Sequence, residues 1–164
     1  MGSLRRSCLS FALLSASCAC AGDPGPAPVV KVGGSTPFGL GFIDWSGEPH
    51  SAEVLTGPQG GQHIWISART RNMAVTTATM AVTLLLETPT GDVLVKPGRV
   101  EMARKAEQNG VDIIYAGLPA FVKEPCKVKG QRVRVELDIR DQAGNVAADK
   151  AWITPTYTGY CDPK

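Results

Sequence analysis

Two short stretches hold the residue types from which chemistry is usually built. The first is Asp44-Trp45-Ser46-Gly47-Glu48-Pro49-His50, with two carboxylates, an aromatic ring and an imidazole in one loop-like segment. Paired carboxylates at the right separation hydrolyse glycosides, and an aromatic platform beside polar groups suits a sugar. Asp44, Trp45, Glu48 and His50 are therefore the candidate ligand contacts, with a solvated connection as the plainer reading. The second stretch is Gly57-Pro58-Gln59-Gly60-Gly61-Gln62-His63-Ile64-Trp65. A phosphate-cradling loop would need a Lys-Ser/Thr pair and then a helix, and neither follows. Gly57, Pro58, Gln59, Gly60, Gly61 and His63 read instead as a structural hairpin, in which Pro58 presets φ and Gly60 and Gly61 permit positive φ. His63 would brace the turn by bonding a backbone carbonyl. Trp65, two residues later on the same strand face, is the expected core tryptophan.

Other chemistry finds little support. His50 and His63 are the two histidines, and no His-x-His, His-Glu-x-x-His or doubled Cys-x-x-Cys accompanies them, so no metal site is expected. Asp23, Asp138, Asp141 and Asp149 form no calcium-loop pattern. A Gly-x-Ser-x-Gly elbow is missing too, so the expectation is a protein that is not an enzyme and needs no cofactor. A carbohydrate-binding module using Trp45, Trp65 or Tyr157 for stacking is the alternative, with a hydrolase more remote. Net charge argues against nucleic acid. The chain has 17 Lys plus Arg and 15 Asp plus Glu, and loss of Arg5 and Arg6 with a leader would leave a formal charge of zero. The basic run Lys123, Lys127, Lys129, Arg132 and Arg134 then reads as a solvated loop and an outward strand face.

Strands must position these residues. Val133, Val135, Leu137 and Ile139 alternate with Arg132, Arg134, Glu136, Asp138 and Arg140, which puts one face toward a core and the other toward water. Met80–Leu86 alternates likewise, Thr88–Asp92 turns the chain, and Val93–Val95 returns it. Further strands are expected at Val29–Val32, Ser51–Leu55, Gln62–Thr70, Val111–Ala116 and Val146–Thr154. Val100–Gln108 has helical composition, although a strand from Arg99 to Ala103 with a turn at Gln108–Gly110 fits the surrounding pattern equally well. Turn residues abound, with 18 Gly and 12 Pro, and the 43% hydrophobic share is too high for a disordered chain. The pattern predicts an all-β antiparallel β-sandwich of about 7–9 strands over residues 29–164.

Residues 1–21 read as an export signal: Arg5 and Arg6, then an apolar run from Ser7 to Ser17, then Cys18-Ala19-Cys20-Ala21. Cys18 or Cys20 is the candidate lipidation site, while Ala19-Cys20-Ala21 also fits ordinary cleavage before Gly22. Residues 22–28, Gly-Asp-Pro-Gly-Pro-Ala-Pro, form a semi-rigid linker. Cys126 and Cys161 are then the pair left for a disulfide in an oxidising compartment. They stand nearly equidistant from the turn at Asp141–Asn145, so an antiparallel hairpin would set them opposite each other.

The Gly57–His63 motif, together with the late Asp141-Gln142-Ala143-Gly144 turn, resembles predicted lipoproteins of Gram-negative bacteria that carry an immunoglobulin-like sandwich. The resemblance covers roughly residues 29–154. It implies an exported domain at the outer membrane or cell surface, or else a periplasmic or secreted one, and it implies no catalytic residues. The function expected is display, adhesion or interaction with a protein or polysaccharide partner, with the membrane reached through an N-terminal lipid anchor.

Overall fold

Alternating apolar residues become strands throughout the computed structural model, which describes residues 25–95 and 99–161. The expected export signal, with Cys18 and Cys20, and the start of the expected linker lie outside the described residues. In chain order the strands are β1 (Val29–Gly34), β2 (Ile43–Asp44), β3 (His50–Glu53), β4 (Leu55–Thr56), β5 (Gln62–Arg71), β6 (Thr77–Thr88), β7 (Gly91–Leu94), β8 (Val100–Asn109), β9 (Asp112–Phe121), β10 (Val133–Asp141) and β11 (Val146–Thr156). One short helix, α1 (Pro125–Val128), precedes β10.

The strands build the all-β sandwich that the alternation predicts. One layer runs β2-β1-β5-β9 and the other β6-β10-β11-β3, with β4 on β5 and β7 on β6. The inward residues meet between them: Ile64, Ile66 and Ala68 of β5, Met80, Val82 and Leu84 of β6, Tyr115 and Leu118 of β9, and Val133, Val135, Leu137 and Ile139 of β10 are all buried. Each large aliphatic side chain placed there contributes about 1.5–3 kcal/mol relative to exposure. The outward partners on β10 are ion-paired instead, as Arg134 is to Asp92 and Glu136.

Three details correct the expected sandwich. Among the described residues it has eleven strands rather than 7–9, because the short β2 was not in the pattern and the Ser51–Leu55 stretch splits: β3 pairs with β11 in one layer and β4 with β5 in the other. Val54 sits at the crossing, its N–H bonded to Thr156 O at 2.8 Å. The sandwich is not wholly antiparallel, since β3 lies parallel to β11. Finally, β8 is a full strand despite its Glu, Arg and Lys content. Val100–Lys105 pairs with β6 in one layer, and Ala106–Asn109 pairs with β9 in the other. Ladder hydrogen bonds in both layers outweigh a local helix preference, which amounts to only tenths of a kcal/mol per residue.

That shared strand joins the layers along one side. On the opposite side β1 and β11 are not paired, and Asp149 of β11 accepts a hydrogen bond from the Val32 N–H at 2.8 Å.

Candidate functional site

The outward residues of β5 are His63, Trp65, Ser67, Arg69 and Arg71, alternating with the core set. Opposite them β9 carries a bulge: Ile66 pairs with Leu118 and Ala68 with Tyr115, so Ala116 and Gly117 together face Ser67. Gly117 has φ +75°, and a Cβ there would lie 2.5 Å from the Gly39 carbonyl oxygen. Only glycine satisfies both demands. The bulge is thus the seat on which the Ser35–Phe42 loop rests, and Arg104 of β8 donates to the Gly117 carbonyl from the other side. Burial pulls the Arg104 guanidinium below its ordinary pKa, and its Nε is buried without a hydrogen-bond partner.

The loop is tied down at several points. Thr36 N–H donates to Leu40 O at 3.0 Å and Gly39 N–H to Thr36 O at 2.9 Å. Trp65 Nε1 donates to Pro37 O at 3.0 Å, and Ser67 Oγ to Gly41 O at 2.9 Å. Phe42 lies over Gly33 and carries the Arg69 guanidinium 4.6 Å from its ring centre. This anchorage leaves Phe38 86% and Leu40 58% exposed. Phe121 and Ile43 nearby are also exposed, at 41% and 47%. His63 bridges the ring system, 4.4 Å from Trp65 and 6.3 Å from Phe121 between ring centres. A groove of about 200 Å³ opens beside Trp65, on the stretch of β5 where β1 has ended at Gly34 and β4 begins at Leu55.

The residues proposed from sequence as ligand contacts are not brought together as an open site. Trp45 is only 5% exposed and belongs to the core, packed where a Cβ on Gly34 would come within 2.6 Å of its ring. Asp44 is committed to Ser46, through both hydroxyl and N–H, and to Arg69 at 2.6 Å. The Ser46 hydroxyl first, then its N–H and the Arg69 guanidinium, hold the Asp44 carboxyl at about 2. His50 Nε2 lies 3.1 Å from Ser46 O, and Glu48 is exposed on the surface. Trp65, expected in the core, faces outward. The two tryptophans have exchanged the roles predicted for them, and the Gly33-Gly34 pair in β1 was the available signal, because glycine in a strand marks a close approach.

The Gly57–Gly61 hairpin forms as predicted, with Gly57 N–H on Gly61 O at 2.8 Å and Gly60 N–H on Gly57 O at 2.9 Å. Gly60 takes φ +80° while Gly61 does not need positive φ. His63 does not brace the turn through Nε2, which is buried with no hydrogen-bond partner; the ring serves by packing instead. The Cys126–Cys161 disulfide is present, Cα atoms 5.7 Å apart. Its setting differs from the hairpin-opposed geometry expected: Cys126 is on α1 and Cys161 is in the tail beyond β11, so the bridge fastens helix to tail. Sequence reasoning passed over Trp152. It projects outward between the inward Ala151 and Ile153, gives its N–H to Glu87 at 2.6 Å, and has Arg132 and Lys150 over its ring. Among the described residues no group of three His, Cys, Asp or Glu is placed to hold a metal ion.

No family model and no curated protein matches the chain. Murine CRIg is a structural neighbour with a TM-score of 0.33 at 12% identity, over 82% of this chain and 100% of that one. A Bacteroides uniformis beta-glucuronidase gives 0.29 at 16% identity, over 75% of this chain and 12% of the enzyme. No residue role is carried over from either.

Proposed function

We propose that the protein is a non-catalytic interaction module of the bacterial cell envelope, displayed by an N-terminal lipid at Cys18 or Cys20 and binding through the outer face of the β1-β5-β9 layer. The observation that carries this reading is the exposed Phe38 on a loop that glycine packing and four hydrogen bonds hold in place. A fixed loop does not bury its own large apolar side chains by rearranging, and contiguous apolar surface of this kind marks contact sites. The seven-residue linker at 22–28 would let the domain stand up to roughly 25 Å from its anchor. A carbohydrate-binding role has lost Trp45 to the core, and Trp65, outward beside the groove, has its N–H given to Pro37 O and its ring against His63. Trp152 is a poor substitute, since its ring is already in contact with two cations and its N–H is given to Glu87.

A photo-reactive phenylalanine at position 38 should give a discrete adduct in intact envelopes. The same group at Val111, which is 79% exposed in the β8–β9 turn, should not. Equal labelling from both positions would remove the interaction reading. For the anchor, the intact mass of protein extracted from membranes should exceed that of the polypeptide by the acyl groups. A soluble chain beginning at Gly22 would remove the anchor and leave a secreted module.

A further inference from the structure

We infer that the occupant of this face is a second copy of the same chain, joined about a two-fold axis with Phe38 of each copy seated in the groove beside Trp65 of the other. The inference rests on reading the face as an interaction surface and adds the identity of the partner.

Knob and hole lie side by side on one surface, which is what a self-complementary two-fold contact requires. The groove of about 200 Å³ is lined by the apolar Pro37, Ile43, Leu55 and Trp65 and by Ser51 and Glu53 of β3. An apolar cavity of about 150 Å³ already takes a benzene ring. Phe38 does not fill its own groove, being 86% exposed although the adjacent Pro37 lines it.

Area points the same way. Phe38, Leu40, Ile43 and Phe121 leave on the order of 400 Å² of apolar side chain exposed, the size of patch that is often functional on a monomer. Two such patches supply about 800 Å², close to the apolar share of a standard interface of roughly 1,600 Å². Charge does not oppose the pairing. Thr36 to Ile43 contains no ionisable side chain, so the Glu53 carboxylate at the groove meets no like charge on the partner's loop, and the formal charge of the whole chain is only +2.

Sedimentation velocity on protein purified from cells expressing the full chain tests this. The wild type should pass from monomer to dimer as concentration rises, and Phe38→Ser should raise the dissociation constant about 100-fold, as expected for a central aromatic anchor. Val111→Ser should change nothing. Circular dichroism will show both variants folded, since both positions are exposed. A wild type that stays monomeric at every concentration, or a Phe38→Ser variant that dimerises as well as wild type, overturns the inference. Co-sedimentation of monomers with phosphatidylethanolamine–phosphatidylglycerol vesicles also overturns it, in favour of lipid. If position 38 still cross-links to a different protein, the interaction reading survives without self-association; if it cross-links to nothing, both fall.

Discussion

Alanine in place of Asp141 should lower the stability of the domain by about 3–4 kcal/mol, the range expected when several buried donors lose one acceptor. The carboxylate is 5% exposed and accepts from Ala74 N–H at 2.7 Å, Asn145 N–H at 2.9 Å and Asn145 Nδ2 at 2.8 Å. It therefore closes the β10–β11 turn and at the same time pins the segment linking β5 to β6. The Ala74 peptide is held from its other end as well, where Tyr115 Oη donates to Ala74 O at 2.7 Å. Burial alone would push the Asp141 pKa up, but the hydrogen bonds from Ala74, Asn145 and Ala143 outweigh it and hold the group below its ordinary value. A pKa lower in the folded state means that this stabilisation is complete above the unfolded value of about 3.9 and is lost as pH falls through the folded one. Thermal melts of wild type and Asp141→Ala should thus differ by a constant amount from pH 5 to 8 and converge in strong acid. A difference that persists undiminished at low pH would show that packing, not the ionised carboxylate, is responsible.

Removal of the disulfide ranks beside it. Cys126 and Cys161 are separated by 35 residues, and the loop they close contains the whole β10–β11 hairpin. Restricting an unfolded loop of that length corresponds to about 4 kcal/mol on chain-entropy grounds. The double variant Cys126→Ser, Cys161→Ser should therefore melt roughly 10–20 °C lower than wild type at this domain size. Labelling of the denatured, unreduced protein should find neither thiol, and digestion should release one peptide pair joined through them. Free thiols at both positions would contradict the bridge.

Strands were legible wherever one face met the core and the other met water, as at Val133–Ile139, because the period-two pattern is itself the record of that partition. β8 was ambiguous for the complementary reason. Its Glu101, Lys105 and Glu107 read as helix formers, and what makes it a strand is pairing with β9 across the Gly110–Val111 turn and with β6 further back in the chain, neither of which its own composition encodes. The split of β3 from β4 was hidden for the same reason. At the candidate site, the hairpin at Gly57–Gly61 was readable because turns are local. Which tryptophan faces the core was not: the Trp45 slot is created by Gly34, and the outward aspect of Trp65 is fixed by a loop that a bulge on β9 receives. Trp152 was within reach of the pattern, since its neighbours Ala151 and Ile153 occupy the inward positions.

The two sides of the sandwich should open at very different rates. Separating the layers along β8 means breaking a continuous strand that both layers use, whereas along β1 and β11 it means releasing the Asp149 contact with Val32 and the packing beneath it, with the short β3–β4 crossing at Val54 as the remaining link on that side. The molecule is built like a hinged case with β8 as its spine and Asp149 as its clasp. Sub-global opening should therefore begin at the clasp, and amide hydrogens of β1 should exchange with solvent sooner than those where β8 meets β6, at conditions far from global unfolding.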